Sequence, residues 1–407
     1  MAALPRYAMS TSRDAHLHRD QGAWRSLALA SLAHALHDGM SDMIYVLLPV
    51  WQAQFALSYG ALAVLRALYV GSLALLQVPS SRLANYLNAR TVLALGTLLT
   101  AVGYALVGLS GGLFGLGISL ALAGAGASTQ HPLASAAVSR AYGMAARVRL
   151  GTYNFAGDLG KAILPPTVSL LLTFMGWRAA VWVVAGFATV VAFLIRSLMP
   201  AVPYADSRTS TLNQLPAPPN AKAGFGLLLA IGVLDSAVRM AFLLLLPFLL
   251  QDKGASLTTV GAALSLVFVG GAFGKATCGW LGARFGLLAT VIATEAGTTA
   301  AILAVLALPL APALALLPLL GAMLNGTSSV LYGTVPELVA SRGIEHAFAV
   351  FYTGTLCSSA LAPVFYGRLG DAVGPVWAAG AAAVTALAVI PLMFALSPRL
   401  GPSHAAR

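Results

Sequence analysis

Charge is what this sequence has least of: Asp, Glu, Lys and Arg together make up only 9% of its 407 residues. A chain that poor in charge has too little polar surface to coat a water-soluble protein of its length. Acidic residues are scarcer than basic ones, 12 against 23. The two cysteines, Cys278 and Cys357, lie far apart within apolar stretches, so neither a disulfide framework nor a metal pair is suggested. The sequence has no Walker motif, no HExxH and no strand ahead of its glycine clusters, which argues against ATP-driven transport, a zinc hydrolase and dinucleotide binding. The basic excess has no soluble basic domain to carry it, so nucleic acid is not an expected partner.

What is present is apolar. Hydrophobic residues make up 59% of the chain and the mean hydropathy is +0.85. Segments of the length that crosses a bilayer, about 20 residues, are expected at 27–51, 58–79, 91–110, 113–138, 150–174, 178–198, 224–249, 257–280, 286–308, 311–336, 346–366 and 376–396. Residues 1–24 are polar, and the first apolar run is too long and too polar-striped for a cleaved signal peptide, so no targeting segment is read. Lys and Arg accumulate on the cytoplasmic side of short loops. With both termini cytoplasmic, sixteen of the 23 fall inside, only Arg178, Lys253 and Arg368 fall outside, and Arg66, Lys161, Arg239 and Lys275 lie within spans. The expectation is an integral protein of a bacterial inner membrane, with the lipid bilayer as its surroundings.

One Pro-, Ser- and Asn-rich stretch, Met199 to Gly224, reads as a cytoplasmic linker. It divides a tail (1–26) and a first bundle (27–198) from a linker (199–223), a second bundle (224–397) and a second tail (398–407). An offset of 198 residues carries Pro49 onto Pro247, Ser58 onto Ser256, Thr129 onto Thr327 and Pro165 onto Pro363. One constant offset across most of each half argues for two copies of a six-helix unit. The predicted fold is all-α, with 12 transmembrane helices arranged as two pseudo-symmetric six-helix bundles. The same offset sets His37 against Asp235 and Ser41 against Arg239.

The first span carries His34, His37, Asp38 and Asp42 at helical spacing, with Ser41 and Tyr45 extending the same face. Charge at the bilayer centre costs about 2.5 to 3.5 kcal/mol per residue, so such a stripe must face other helices or water. Two parallel six-helix repeats around a cytoplasmic linker resemble the major facilitator superfamily. Within it, SLAHALHD from Ser31, the QAQFALS run ending at Ser58, LLQ at 75–77, GAGASTQHPLAS at 124–135 and GDLGKAILP at 157–165 resemble the fosmidomycin-resistance branch. That resemblance implies a fold that rocks around a central cavity, proton-coupled efflux, and functional roles for His34, Asp38 and the His131-Pro132 pair. Two departures concern the cytoplasmic latch: Asn85 and Ala283 stand where the superfamily motif is expected to place an acid. A third is the Asp158 and Lys161 pair in the fifth span, where the branch has an amide and a hydroxyl.

Several side chains have both a structural and a transport reading. Asp38, Asp158, Asp235, His34 and His37 are the proton-coupling candidates. Arg66, Gln130, His131, Asn154, Lys161, Arg239 and Tyr45 are the substrate-cavity candidates. Arg66 is the expected partner of Asp38; Asp158 with Lys161, and Asp235 with Arg239, are placed to pair along one helix face. Asp42 is expected to be a solvated or gate residue, Lys275 to snorkel, and Glu295 to be isolated and structural. No cofactor, metal or catalytic residue is expected, and no enzyme. The expected partners are protons and a small solute, anionic or zwitterionic by the basic residues or, as the competing reading, a neutral hydrophobic drug, carried out of the cell by a monomer. Direction is not encoded, so a proton-coupled importer of a small organic acid and a non-transporting sensor stay open at this point.

Overall fold

The computed structural model describes residues 8–200, 221–339 and 344–400; the side chains of residues 8–20, Asn85, Met144, Arg147, Ala221, Lys222, Ile344 and Glu345 are outside the described part. Most of the expected linker and second tail therefore lie outside the described residues. Among the described residues the chain is helical throughout. The first half comprises α1 (Ala8–Phe55), α2 (Tyr59–Leu87), α3 (Ala89–Leu109), α4 (Leu113–Ala127), α5 (Gln130–Tyr142), α6 (Ala146–Phe174) and α7 (Trp177–Leu198). The second comprises α8 (Ala221–Asp252), α9 (Leu257–Ala307), α10 (Leu310–Thr334), α11 (Ile344–Val373), α12 (Pro375–Leu387) and α13 (Val389–Leu396). Nine stretches of these helices are long and apolar enough to cross a membrane, with α4–α5 and α12–α13 each forming one of them. Two further helices, α1 and α6, carry the charged residues of the site, and α9 bends at Gly286 (φ 83°) into two. Only glycine adopts that φ without strain. Helix thus lies at each of the twelve expected segments, while length and apolarity by themselves mark nine stretches among the described residues as crossings.

The repeat is visible at single caps. Ser58 begins α2 and accepts from the Ala61 backbone N–H at 3.2 Å, and Ser256 begins α9 and accepts from the Thr259 N–H at 3.2 Å. Each hydroxyl satisfies one of the unpaired donors of a helix start. The two pairs are related by the same 198-residue offset found in the sequence.

Two further contacts related by that offset join the halves. Gly367 of α11 packs against Tyr59 and Ala63 of α2, and Gly261 of α9 packs against Pro166 and Ser169 of α6. In both, the missing side chain lets two helices approach closely, as lipid-embedded helices require. Asp371 completes this end: its carboxylate accepts from the Tyr59 N–H at 2.6 Å and the Gly60 N–H at 2.9 Å. A residue of one half thus caps a helix of the other. The halves close at the end carrying the 55–59 and 252–257 loops. Towards the other end they part around a cleft of ≈ 350 Å³ lined by Gln77, Ser135, Tyr153 and Asn154 on one side and Tyr352 on the other.

Within the first half, α1 and α6 cross at glycines. A methyl group on Gly160 would collide with the Ala35 carbonyl oxygen, and one on Gly157 would stand 2.7 Å from the His34 ring. This crossing brings His34 and Asp38 of α1 against Tyr153 and Lys161 of α6.

Candidate functional site

Between the halves lies a cavity of ≈ 260 Å³. Its walls carry three acid–base pairs, and the pairing is not the one the sequence spacing suggests. Asp38 faces Lys161 at 3.1 Å, Asp42 faces Arg66 at 3.3 Å, and Asp158 accepts from Lys275 at 2.6 Å. Asp158 and Lys161 share a helix but turn to partners on α9 and α1. Arg66 takes Asp42, not Asp38, as its partner, because Asp42 lies one turn further along α1, level with Arg66 of α2. Asp42 is buried, not solvated, and Lys275 reaches inward to a carboxylate of the other half. Each correction has one cause: in an apolar span a charge finds the nearest opposite charge on a neighbouring helix, which spacing along one helix does not reveal.

Around Asp38 three more groups converge. His34 Nε2 lies 3.5 Å from its carboxylate and His131 Nε2 lies 3.8 Å away. The His34 ring is fixed from behind, stacked on Tyr153 at 4.2 Å between centroids, with Nδ1 2.8 Å from the Tyr153 carbonyl oxygen. A carbonyl only accepts, so Nδ1 carries a proton, and Nε2 then presents a lone pair to Asp38 unless a second proton binds there. His37 has the opposite arrangement. The Thr97 hydroxyl donates to Leu93, so His37 Nε2 donates to Thr97 Oγ1 at 3.0 Å. His37 Nδ1 has no hydrogen-bond partner among the described residues.

Arg66 is held between two rings, its guanidinium carbon 5.1 Å from the Tyr45 centroid and 5.7 Å from that of Tyr69. Its Nη2 donates to Ser41 and Asp42, while Nε and Nη1 have no hydrogen-bond partner among the described residues. Tyr45 itself stands behind Arg66, with its hydroxyl on Met240 Sδ at 3.6 Å. Gln130 lines the cavity and donates to the Tyr153 hydroxyl at 3.4 Å. Asn154 opens onto the wider cleft. Asp235 and Arg239 do pair along α8, at 3.4 Å, but in a separate cavity of ≈ 150 Å³; Arg239 is not in the wall of the central one. Glu295, expected to be isolated, has the Asp235 carboxyl group as a neighbour.

Donor atoms of His34, Asp38 and His131 lie within 4.8 Å of one another, a set able to hold a transition metal. A reading from His34 and His37 alone lacks a third ligand, because that ligand comes from α5. In this arrangement the Lys161 ammonium supplies the positive charge beside Asp38.

The sequence profile of the Major Facilitator Superfamily matches residues 30–234, just over half of the chain and all of the cavity wall contributed by the first half. The chain belongs to the major facilitator superfamily. It is accordingly an integral membrane member of a transporter superfamily. Among curated proteins it is similar to the fosmidomycin resistance protein of Escherichia coli (strain K12), 23% identical over 158 residues, which is 39% of each chain. The match thus spans about two fifths of that relative's length. Among solved structures it shares its fold with a bacterial homologue of the human lysosomal transporter Spinster in an inward-facing, unoccupied conformation. There the TM-score is 0.80 at 15% identity, covering 94% of this chain and 98% of that one. A nucleoside transporter gives a TM-score of 0.77 at 12% identity over 91% and 99% of the two chains.

Tyr153, Tyr352 and Lys275 line the site but were not singled out as functional by the sequence. Lys275 carried a usable signal, a lone ammonium in an apolar span. The two tyrosines carried none.

Proposed function

We propose that this superfamily member is a proton-coupled exporter of a small anionic or zwitterionic solute, with Asp38 as the proton carrier. One observation carries the reading. The Tyr153 carbonyl fixes the proton of His34 on Nδ1, so a proton arriving at the cavity finds the His34 Nε2 lone pair and the Asp38 carboxylate facing each other at 3.5 Å. Lys161 at 3.1 Å holds Asp38 ionised until a proton or a solute charge displaces it. Asp158 and Asp235, each already tied to a base, are the alternative carriers.

The open end of the cleft carries the loops rich in Lys and Arg, which supports a cytoplasmic-facing resting form in an inner membrane, with both termini inside. The cavity, at ≈ 260 Å³, is smaller than the roughly 300 to 1,000 Å³ of drug-sized pockets. A metabolite-sized solute fits that space. An anionic group displacing Asp42 would be offered two nitrogens of the Arg66 fork. The fosmidomycin-resistance likeness supports export, since resistance is what that relative's name records.

The test is solute-driven proton movement in proteoliposomes holding a pH-sensitive dye, for the wild type and Asp38→Asn. Proton flux that depends on solute and is lost in the variant is the expected result. Flux that survives the substitution would transfer the role to Asp158 or Asp235, and flux with no proton component would remove coupling altogether.

A further inference from the structure

Asp235 of α8 and Glu295 of α9 are both buried, 5% and 2% exposed, in the second half. Their carboxyl groups lie close enough to act on each other. Two carboxylates have four acceptor oxygens and no donor, so a hydrogen bond between them requires a proton. The surrounding charge agrees. Arg239 stands 3.4 Å from Asp235 and, among the described residues, is the single cation in direct contact. From α10, the Thr327 hydroxyl donates to Thr294 Oγ1, next to Glu295 in sequence, at 2.8 Å, and Tyr332 lines the same cavity as Asp235; Lys275 on α9 is within electrostatic range of Arg239. Two bare carboxylates against one guanidinium would leave a net negative charge in a buried site, which is far costlier than binding one proton.

The repeat gives the pair a place. The offset of 198 that sets His37 against Asp235 also sets Thr97 against Glu295. In the first half those positions make the His37 to Thr97 hydrogen bond at 3.0 Å. The second half keeps the contact and replaces its two members with carboxyl groups. Asp235 also lines the ≈ 150 Å³ cavity with Arg239, Tyr352 and Ser359, and the last two line the central cavity as well.

We infer that Asp235 and Glu295 share one proton between them, giving the second half a protonation site separate from the His34–Asp38 site of the first. Its second member is on the ninth span, outside the central cavity wall. The charge on Arg239 is what the pair balances. An anionic solute group that draws Arg239 away would favour a second proton on the pair.

The test reads the proton itself by infrared spectroscopy of the full-length protein in lipid at neutral pH. A protonated-carboxyl C=O stretch that shifts in D2O is expected in the wild type and in Asp38→Asn. It is expected to vanish in both Glu295→Gln and Asp235→Asn, since one carboxyl facing Arg239 has every reason to ionise. Gln at 295 can donate to Asp235 as the shared proton does, so that variant should fold with near wild-type thermal stability and keeps the test readable if Asp235→Asn does not fold. A wild type without the band, or a band that survives in Glu295→Gln, would overturn the inference. So would a band lost in Glu295→Gln but kept in a folded Asp235→Asn, because the proton would then belong to Glu295 alone. None of these readings involves transport, so they stand apart from the fate of the Asp38 assay.

Discussion

Lys275 of the second half donates to Asp158 of the first at 2.6 Å, and this is the ion pair that crosses the central cavity. The Lys275 side chain is 38% exposed, so solvent screens the pair and its worth is modest. A double-mutant cycle with Asp158→Asn and Lys275→Gln, read by thermal unfolding in detergent, should give a coupling of about 0.5 to 1 kcal/mol. Transport should suffer more than stability does, because the pair must part when the halves rock. Single variants with wild-type turnover would mean that the pair is incidental.

The α1–α6 crossing makes a sharper demand. Gly160 has no room for a methyl group because the Ala35 backbone is already there, whereas Gly151, on the same helix, has nothing within 4 Å. Gly160→Ala should therefore cost roughly 1 to 3 kcal/mol through forced backbone movement. It should also displace Lys161 from Asp38. Gly151→Ala should be neutral or slightly stabilising, since alanine is the better helix former. Unfolding temperatures of the two variants that could not be told apart would contradict the crossing.

That crossing also shows what sequence could and could not reveal. The bundle count, the repeat and the polar stripe on α1 were legible because hydropathy, a constant offset and 3.6-residue periodicity are properties of one chain read in order. So was the Asp235–Arg239 pair, whose members lie on one helix at i, i+4. The cross-helix partners were not legible. Asp38 meets Lys161 only after α1 and α6 approach at glycines whose role depends on what faces them, and Asp235 meets Glu295 only once α8 and α9 lie side by side. Gly160 reads in sequence like any of the chain's 41 glycines. Glu295 looked isolated because its partner is 60 residues away on another helix.

Asp371 supplies a third prediction. It caps α2 from the opposite half, accepting from two backbone N–H groups at a helix start where negative charge is favoured. Asp371→Ala should cost about 1 kcal/mol of closure at that end and populate the opposite conformation. The readout is labelling of Ser41→Cys, in a background lacking Cys278 and Cys357, by an impermeant thiol reagent added from outside. Faster labelling in the Asp371→Ala background is expected. An unchanged rate would show that the glycine contacts at Gly367 and Gly261 hold the end closed without the cap.

The Asp42–Arg66 pair separates folding from recognition. Both side chains are below 10% exposed, at 9% and 6%, so removing one partner leaves a buried charge uncompensated. Asp42→Asn alone should destabilise the protein by roughly 3 to 5 kcal/mol. Replacing both residues, as Asp42→Asn with Arg66→Met, should recover most of that loss, because no orphaned charge then remains. Solute transport should not recover. The guanidinium proposed to bind the solute's negative group is gone, and methionine between Tyr45 and Tyr69 offers no fork. A stable double variant that still moves an anionic solute with unchanged KM would show that Arg66 serves the fold only, and the solute's charge would have to be met by Lys161 or Lys275.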